Sequence, residues 1–352
     1  MIRPKGRAVN AAIGDVERTM QALLDRYAAR FPTLPDTLPV YEVLAYHLGW
    51  RDERLQPASG VGGKRFRPAL CLAVALAVCG DAARAVGIAA AIELLHNFTL
   101  IHDDIQDRSR VRRHRPTIWA LWGDAQAINA GDALFVLSQI AALEAARALE
   151  PGRGEELVRR FNETALLIVE GQVLDLSFEQ RSEVSVNEYL TMIERKTAAL
   201  IAYSAWAGAL VAGAPTEVAA RLERFGRALG LGFQIRDDYL GVWGDPAVTG
   251  KPRGDDLRQR KKSLPIVLVL ERAATDDRSW LLDLWRRRTE LTAEEVASVI
   301  ALLERYAVRT ALQEAVEQFH REALAELEAL SLAPEGVASL LGLVAGLPLR
   351  EA

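Results

Sequence analysis

The sequence has little that would build a sheet, a disulfide framework or a nucleic-acid interface. It holds only two cysteines, Cys71 and Cys79. On a helix their eight-residue separation is roughly 12 Å along the axis, too far for a disulfide. Two apolar-flanked thiols outside any framework fit a reducing compartment. The formal net charge is −4, so no general basic field is available to grip nucleic acid. The N-terminal stretch MIRPKGRAVNAAIGDVERTM lacks the apolar core of a secretion signal. The longest apolar stretches, near 69–79 and 198–214, are too short or too interrupted for a membrane span. Strand signals are scarce. The run from Pro265 to Leu270 reads as strand by composition, but its setting favours a buried helix. The expectation is a cytoplasmic protein of the all-α class.

What is present agrees with that class. Half of the 352 residues are hydrophobic, enough for a sizeable core. Alanine, leucine, arginine and glutamate dominate, and all are good helix formers. Turn residues punctuate the chain at 32–36, 60–63, 151–152, 214–217 and 244–250. Thr216-Glu217 marks a helix start, and Thr292 with Glu295 forms a capping-box pattern. Roughly ten or more helices follow. No composition shift or low-complexity linker divides them, so a single domain over 1–352 is expected, a helical bundle around a central cavity.

An acidic pair occurs twice, each time at the end of an apolar helical segment. The first copy is His102-Asp103-Asp104-Ile105-Gln106-Asp107. Asp103 and Asp107 share a helix face, with His96 and Leu100 on the same stripe. Phe98, Ile101 and Ile105 fall on the other side. Crowded carboxylates repel one another, and a hard divalent cation relieves that cost. Arg108, Arg110, Arg112, Arg113 and Arg115 follow within eight positions. Some pair with the preceding aspartates, but the surplus suits a polyanion. Upstream, Gly62-Gly63-Lys64-Arg65-Phe66-Arg67-Pro68 sets three cations after a diglycine. Glycines let backbone approach a phosphate closely. The spacing is not that of a Walker loop.

The second copy is Phe233-Gln234-Ile235-Arg236-Asp237-Asp238-Tyr239-Leu240-Gly241. Gln234 shares a broad face with Asp237 and Asp238. Lys251, Lys261 and Lys262 follow, while Arg258 and Arg260 read as surface charge. Between the copies, Glu170-Gly171-Gln172-Val173-Leu174-Asp175 and Glu194-Arg195-Lys196-Thr197 put polar groups into apolar helices. The pattern points to Mg2+-diphosphate chemistry in a helical pocket.

Six segments, GGKRFRP, ELLHNFTLIHDDIQDRSRVRRHRPT, EGQVLDL, ERKTAAL, GFQIRDDYLG and GKPRGDDLRQRKKSLP, occur in that order over residues 62–265. Together they strongly resemble the trans-isoprenyl diphosphate synthases, or polyprenyl synthetases. The resemblance implies the isoprenoid synthase fold and Mg2+ as cofactor. It also implies head-to-tail condensation of isopentenyl diphosphate with an allylic diphosphate. By it, Asp103 and Asp107 bind Mg2+ with Asp104 assisting, and Asp237 binds a further Mg2+ with Asp238 close by. Lys64, Arg67, His96 and Arg113 hold isopentenyl diphosphate. Arg112, Lys196, Lys251 and Lys261 hold the allylic diphosphate. Thr197 and Gln234 line the reacting centre beside Lys196, with Gln172 and Asp175 nearby. The family is usually homodimeric, and the alanine-rich segment 125–149 suits such packing. The region 276–352 carries no assignable motif, and its Trp280 and Trp285 read as helical packing.

One position departs from the family pattern: Gly241 stands where the second DDxxD motif ends in aspartate. In the family the residues before the first motif limit product length. Phe98, five before Asp103, and Thr99, four before, resemble the short-chain geranylgeranyl type with twenty carbons. Fifteen carbons come next. A terpene cyclase would need no second diphosphate site, and a non-catalytic regulatory subunit would show eroded charges. Neither fits the full basic set.

Overall fold

Helix-forming composition becomes helix almost throughout. The computed structural model describes residues 6–58, 63, 65–246, 252–287 and 289–345. The first half holds α1 (Arg7–Arg30), α2 (Val40–Leu48), α3 (Phe66–Cys79), a 3-10 turn at Ala82–Ala85 and α4 (Val86–Gln106). A two-residue hairpin follows, β1 (Val111–Arg112) against β2 (Arg115–Pro116), with Val111 opposite Pro116. Then come α5 (Ile118–Trp122), α6 (Asp124–Ala146), α7 (Pro151–Gln180) and α8 (Val186–Ile193). A π-helical turn, Glu194–Ala198, leads into α9 (Ala199–Val211) and α10 (Thr216–Trp243). The C-terminal layer is α11 (Asp255–Arg258), α12 (Leu264–Arg272), α13 (Thr275–Arg286), α14 (Ala293–Arg305), α15 (Val308–Glu328) and α16 (Pro334–Val344).

Local signals account for several boundaries. Thr292 caps α14 and Glu295 returns the bond, as the capping box requires. The apolar run 264–270 is helix α12, with Pro265 in its first turn. Both cysteines are free, Cys71 buried and Cys79 exposed.

Helix α9 is the innermost element. Every residue from Leu200 to Val211 is buried, between α3, α7 and α10. Such all-round apolarity is what a fully enclosed helix needs. The 82–106 segment ending in α4 is long and apolar enough to cross a membrane by length and composition. The stretches weighed above, 69–79 and 198–214, did not include it. Its most apolar window is 61% buried, against α1, α3, α6 and α9.

Two apolar clusters result. One is built from α1–α4, α6, α7, α9 and the first half of α10. The other joins the second half of α10 to α12, α13, α14 and α15. The unassigned C-terminal region is thus divided: α13, α14 and the start of α15 build the second cluster, with Trp285 packed against it and Trp280 left exposed, while the end of α15 and α16 join the first.

A buried ion pair fixes the start of α3. Arg65 Nη1 meets Glu93 Oε1 at 2.5 Å, with side chains 4% and 2% exposed. Arg65 also reaches Glu17 on α1 and the Leu48 carbonyl ending α2, and Asn97 donates to Glu93 at 3.0 Å. One guanidinium therefore joins four segments. Glu93→Ala takes away its buried counter-charge and leaves it the half-exposed Glu17 carboxylate, so urea unfolding is expected to show a loss of about 3–5 kcal/mol.

Candidate active site

Helix α4 carries its acids at its C-terminal end, where the helix dipole is already negative. Ile101 turns inward and is buried, while Asp107 is exposed. Asp103 lies between them, its carboxyl pushed up by burial against the pull of Lys196, with Asp107 adding to the rise. Asp104 is buried and accepts from Arg112 Nε at 2.8 Å. Burial nonetheless raises it to about 6. Asp104 is thus tied to the arginine run, and Asp103 and Asp107 remain as the acidic face.

The hairpin sorts the five arginines. Arg108 pairs with Asp124 at 2.8 Å and lies over Trp119, which Arg110 also covers. Arg115 donates to the Tyr46 and Arg51 carbonyls and stacks on Tyr46, fastening β2 to the end of α2. Arg113, at φ 52°, turns at the hairpin tip towards Gly63. Burial lowers its pKa. Arg67 Nη1 lies 3.1 Å from His96 Nε2. Thus Arg67, His96 and Arg113 lie in one basic pocket. Lys64 and Lys251 lie outside the described residues.

The two acidic segments meet through the π-turn. Lys196 Nζ reaches Asp175 at 2.5 Å and feels the charge of Asp103 and Asp107. Thr197, next in the chain, donates to Gln234 Oε1 at 2.9 Å. Gln234 donates in turn to Asp238 at 3.1 Å. A π-turn widens the helix by one residue and aims neighbouring side chains to different walls. Gly171 makes room for it: a Cβ there would lie 2.3 Å from the Lys196 backbone nitrogen. Gln172 donates to Gln106 beside Asp107.

Asp238 differs from the expectation drawn for it. It is buried, and its oxygens accept from Tyr189 at 2.6 Å, Gln234 at 3.1 Å and the Leu264 amide at 3.3 Å. Burial pushes it up to about 7 despite these donors. This carboxylate braces α10 against α8 and α12, and Asp237 alone of the pair is exposed. Tyr189 was missed in the sequence because nothing in its spacing ties it to a motif.

Gly241 has an explanation in space. A Cβ at 241 would lie 2.0 Å from Asp256 Oδ2, so a carboxylate from α11 occupies the place of the missing side chain. Asp256 pairs with Lys261 at 3.6 Å. Lys262 is structural: its ammonium binds the Phe178, Glu179 and Arg181 carbonyls at the end of α7.

Among the described residues no three acidic, histidine or cysteine side chains converge to hold a metal unaided. Mg2+ usually takes one or two carboxylates and completes its shell with water and substrate phosphate. Asp103 and Asp107, one turn apart and mutually repelling, fit that division. Phe98 packs between His102 and Phe135, with centroids 4.8 and 5.1 Å away. Thr99 spends its hydroxyl on the His96 carbonyl.

The Gly171–Lys196 contact is expected to be intolerant. Gly171→Ala should displace the π-turn and reduce turnover by about tenfold or more, while Gln172→Ala costs less; steady-state kinetics on both variants checks this.

Comparison with known proteins identifies the family. The family model described as polyprenyl synthetase matches residues 50–303. The chain is 45% identical over 265 residues to a (2E,6E)-farnesyl diphosphate synthase of Mycobacterium tuberculosis, covering 74% of this chain and 72% of that one. It is 44% identical over 273 residues to a geranylgeranyl diphosphate synthase of the same species, covering 75% of each. A solved polyprenyl synthetase from Streptomyces coelicolor A3(2) superposes with a TM-score of 0.86 at 35% identity, over 97% of this chain and 98% of that one. The chain belongs to the polyprenyl synthetase family, with its all-α isoprenoid synthase fold.

Proposed function

We propose that this protein condenses isopentenyl diphosphate head-to-tail with an allylic diphosphate and releases a twenty-carbon trans-polyprenyl diphosphate, geranylgeranyl diphosphate. The coarser statement, a short-chain trans-prenyltransferase, follows from family membership and the two relatives named above. The observation that carries the reading is the separation of charge: a basic pocket at Arg67, His96 and Arg113, and an acidic wall at Asp103 and Asp107. Two diphosphates, one with metal and one without, match the two.

Bound with the allylic diphosphate, Mg2+ would supply charge neutralisation to the leaving group. Asp103, Asp107 and Asp237 are the residues to hold it. Lys196 and Arg112, now on Asp175 and Asp104, turn to the diphosphate oxygens, joined by Lys251 and Lys261. The allylic C–O bond breaks and the diphosphate keeps the electron pair. The double bond of isopentenyl diphosphate then attacks the allylic carbon, and the released diphosphate takes the proton lost. Thr197 and Gln234 present oxygen dipoles to the positive charge.

Phe98 closes the chain tunnel in this reading. A fifteen-carbon product is the second reading, favoured by the similarity to the farnesyl synthase. Purified protein with Mg2+, isopentenyl diphosphate and each allylic starter should give one major product, which chromatography identifies. Phe98→Ala should lengthen it; unchanged length removes Phe98 as the floor. Asp103→Asn should lower kcat by about a hundredfold or more.

We further read the protein as a cytoplasmic homodimer. Neighbouring helices α6 and α7 expose Ile128, Val136, Leu143, Leu166, Val169 and Val173. An apolar face of that extent fits a second copy of the chain. Light scattering should give twice the chain mass, and Val136→Glu with Leu166→Glu should give the monomer.

A further inference from the structure

Three buried polar atoms near the basic pocket have no partner among the described residues: Arg67 Nε, His47 Nε2 and Asn97 Oδ1. Orphaned polar groups are rare inside proteins, and each calls for a cause such as a bound water, an ion or a ligand. Arg67 already belongs to the diphosphate pocket. Asn97, fully buried, is held in place by its amide bonds to Glu93. His47 belongs to no motif and lies on α2, outside the 62–265 segment.

Its position is set by the same contacts that set the arginines. Tyr46 donates to the Pro116 carbonyl at 2.7 Å, and Arg115 returns two bonds to carbonyls at 46 and 51. The last turn of α2 is thereby locked to the hairpin that carries Arg112 and Arg113. Between them lies a cavity of about 30 Å3 lined by Tyr46, His47, Asp104, Arg112 and Arg113 among others. That volume holds a water or two. Its walls include two long arginine side chains able to swing towards an anion.

We propose that His47 is a binding residue of the metal-free diphosphate site, donating Nε2–H to a phosphate oxygen of isopentenyl diphosphate. The assignment rests on the prenyltransferase reading above. Burial, and then Arg113, Arg112 and Arg65, hold the ring neutral against the opposing pull of the neighbouring Asn97 side chain, with its pKa lowered to about 3. A neutral imidazole with a sealed nitrogen adds a donor without a further cation to repel its neighbours. It adds one contact to an oxyanion that Arg67, His96 and Arg113 would hold.

Two measurements test this. In steady state, His47→Leu should raise KM for isopentenyl diphosphate about tenfold, with kcat and the allylic KM within about twofold. His47→Gln, which keeps a donor, should recover most of that loss. Unchanged KM in a folded His47→Leu protein overturns the proposal, as does an equal rise in both KM values. The second measurement uses the unaltered chain, stripped of divalent ions with EDTA and labelled with 15N-histidine. Its five histidines are few enough to resolve. Inorganic diphosphate should shift the His47 Nε2 resonance and slow exchange of its proton; no shift overturns the proposal even if the variants do not fold. A wild-type protein that makes no prenyl product would sink the transferase reading, while this metal-free titration still reports on His47.

Discussion

The site depends on two adjacent side chains that reach different walls. Lys196 looks towards Asp175 and the acids of α4, and Thr197 looks towards Gln234 and the acids of α10. A regular α-helix separates neighbours by about 100°, and the extra residue of the π-turn resets the facing of the helix that follows. Take the turn away and the two acidic segments lose their common hinge. Gly171 and Gly230 are the accommodation for it, each lying where a side chain would meet backbone at 196 or 198.

Charge in this protein is largely organised before any ligand arrives. Arg112 rests on Asp104, Lys196 on Asp175, and Arg65 on Glu93. In the proposed reaction the first two pairs would open, the diphosphate taking the cation from its carboxylate. The third is sealed and is part of the framework. Burial distinguishes them, since both Arg65 and Glu93 are within a few per cent of full enclosure, whereas Asp175 is 40% exposed. Pairs with one wet partner re-sort at low cost, and dry pairs do not.

Much of this was legible in the residues. Helix-forming composition and a capping box at Thr292 and Glu295 announced the class, and the structure keeps both. The i,i+4 face of Asp103 and Asp107 followed from helix period alone. What the chain order hid was burial. Asp104 and Asp238 look like their neighbours in sequence, yet each turns inward to a partner eight or forty-nine residues away. The fate of each arginine was equally hidden, because Trp119, Asp124 and the α2 carbonyls that claim them lie on other elements. Gly241 reads as a loss in one dimension. In three it is room for Asp256.

Helix α10 belongs to both apolar clusters, and this separates the map of motifs from the unit that folds. Next to Asp238, the Tyr239 hydroxyl accepts from Arg309 at 3.0 Å, and just over a turn further on Trp243 donates to Glu304 at 3.0 Å. Both grips come from α14 and α15, which hold no signature residue at all. A fragment ending at residue 265 would contain every diagnostic segment and still leave the second half of α10 packed only against α8, the π-turn and its own neighbours in the chain. The identity of the protein is written in its middle, but the rigidity of the second acidic helix is supplied by its unremarked C-terminal third.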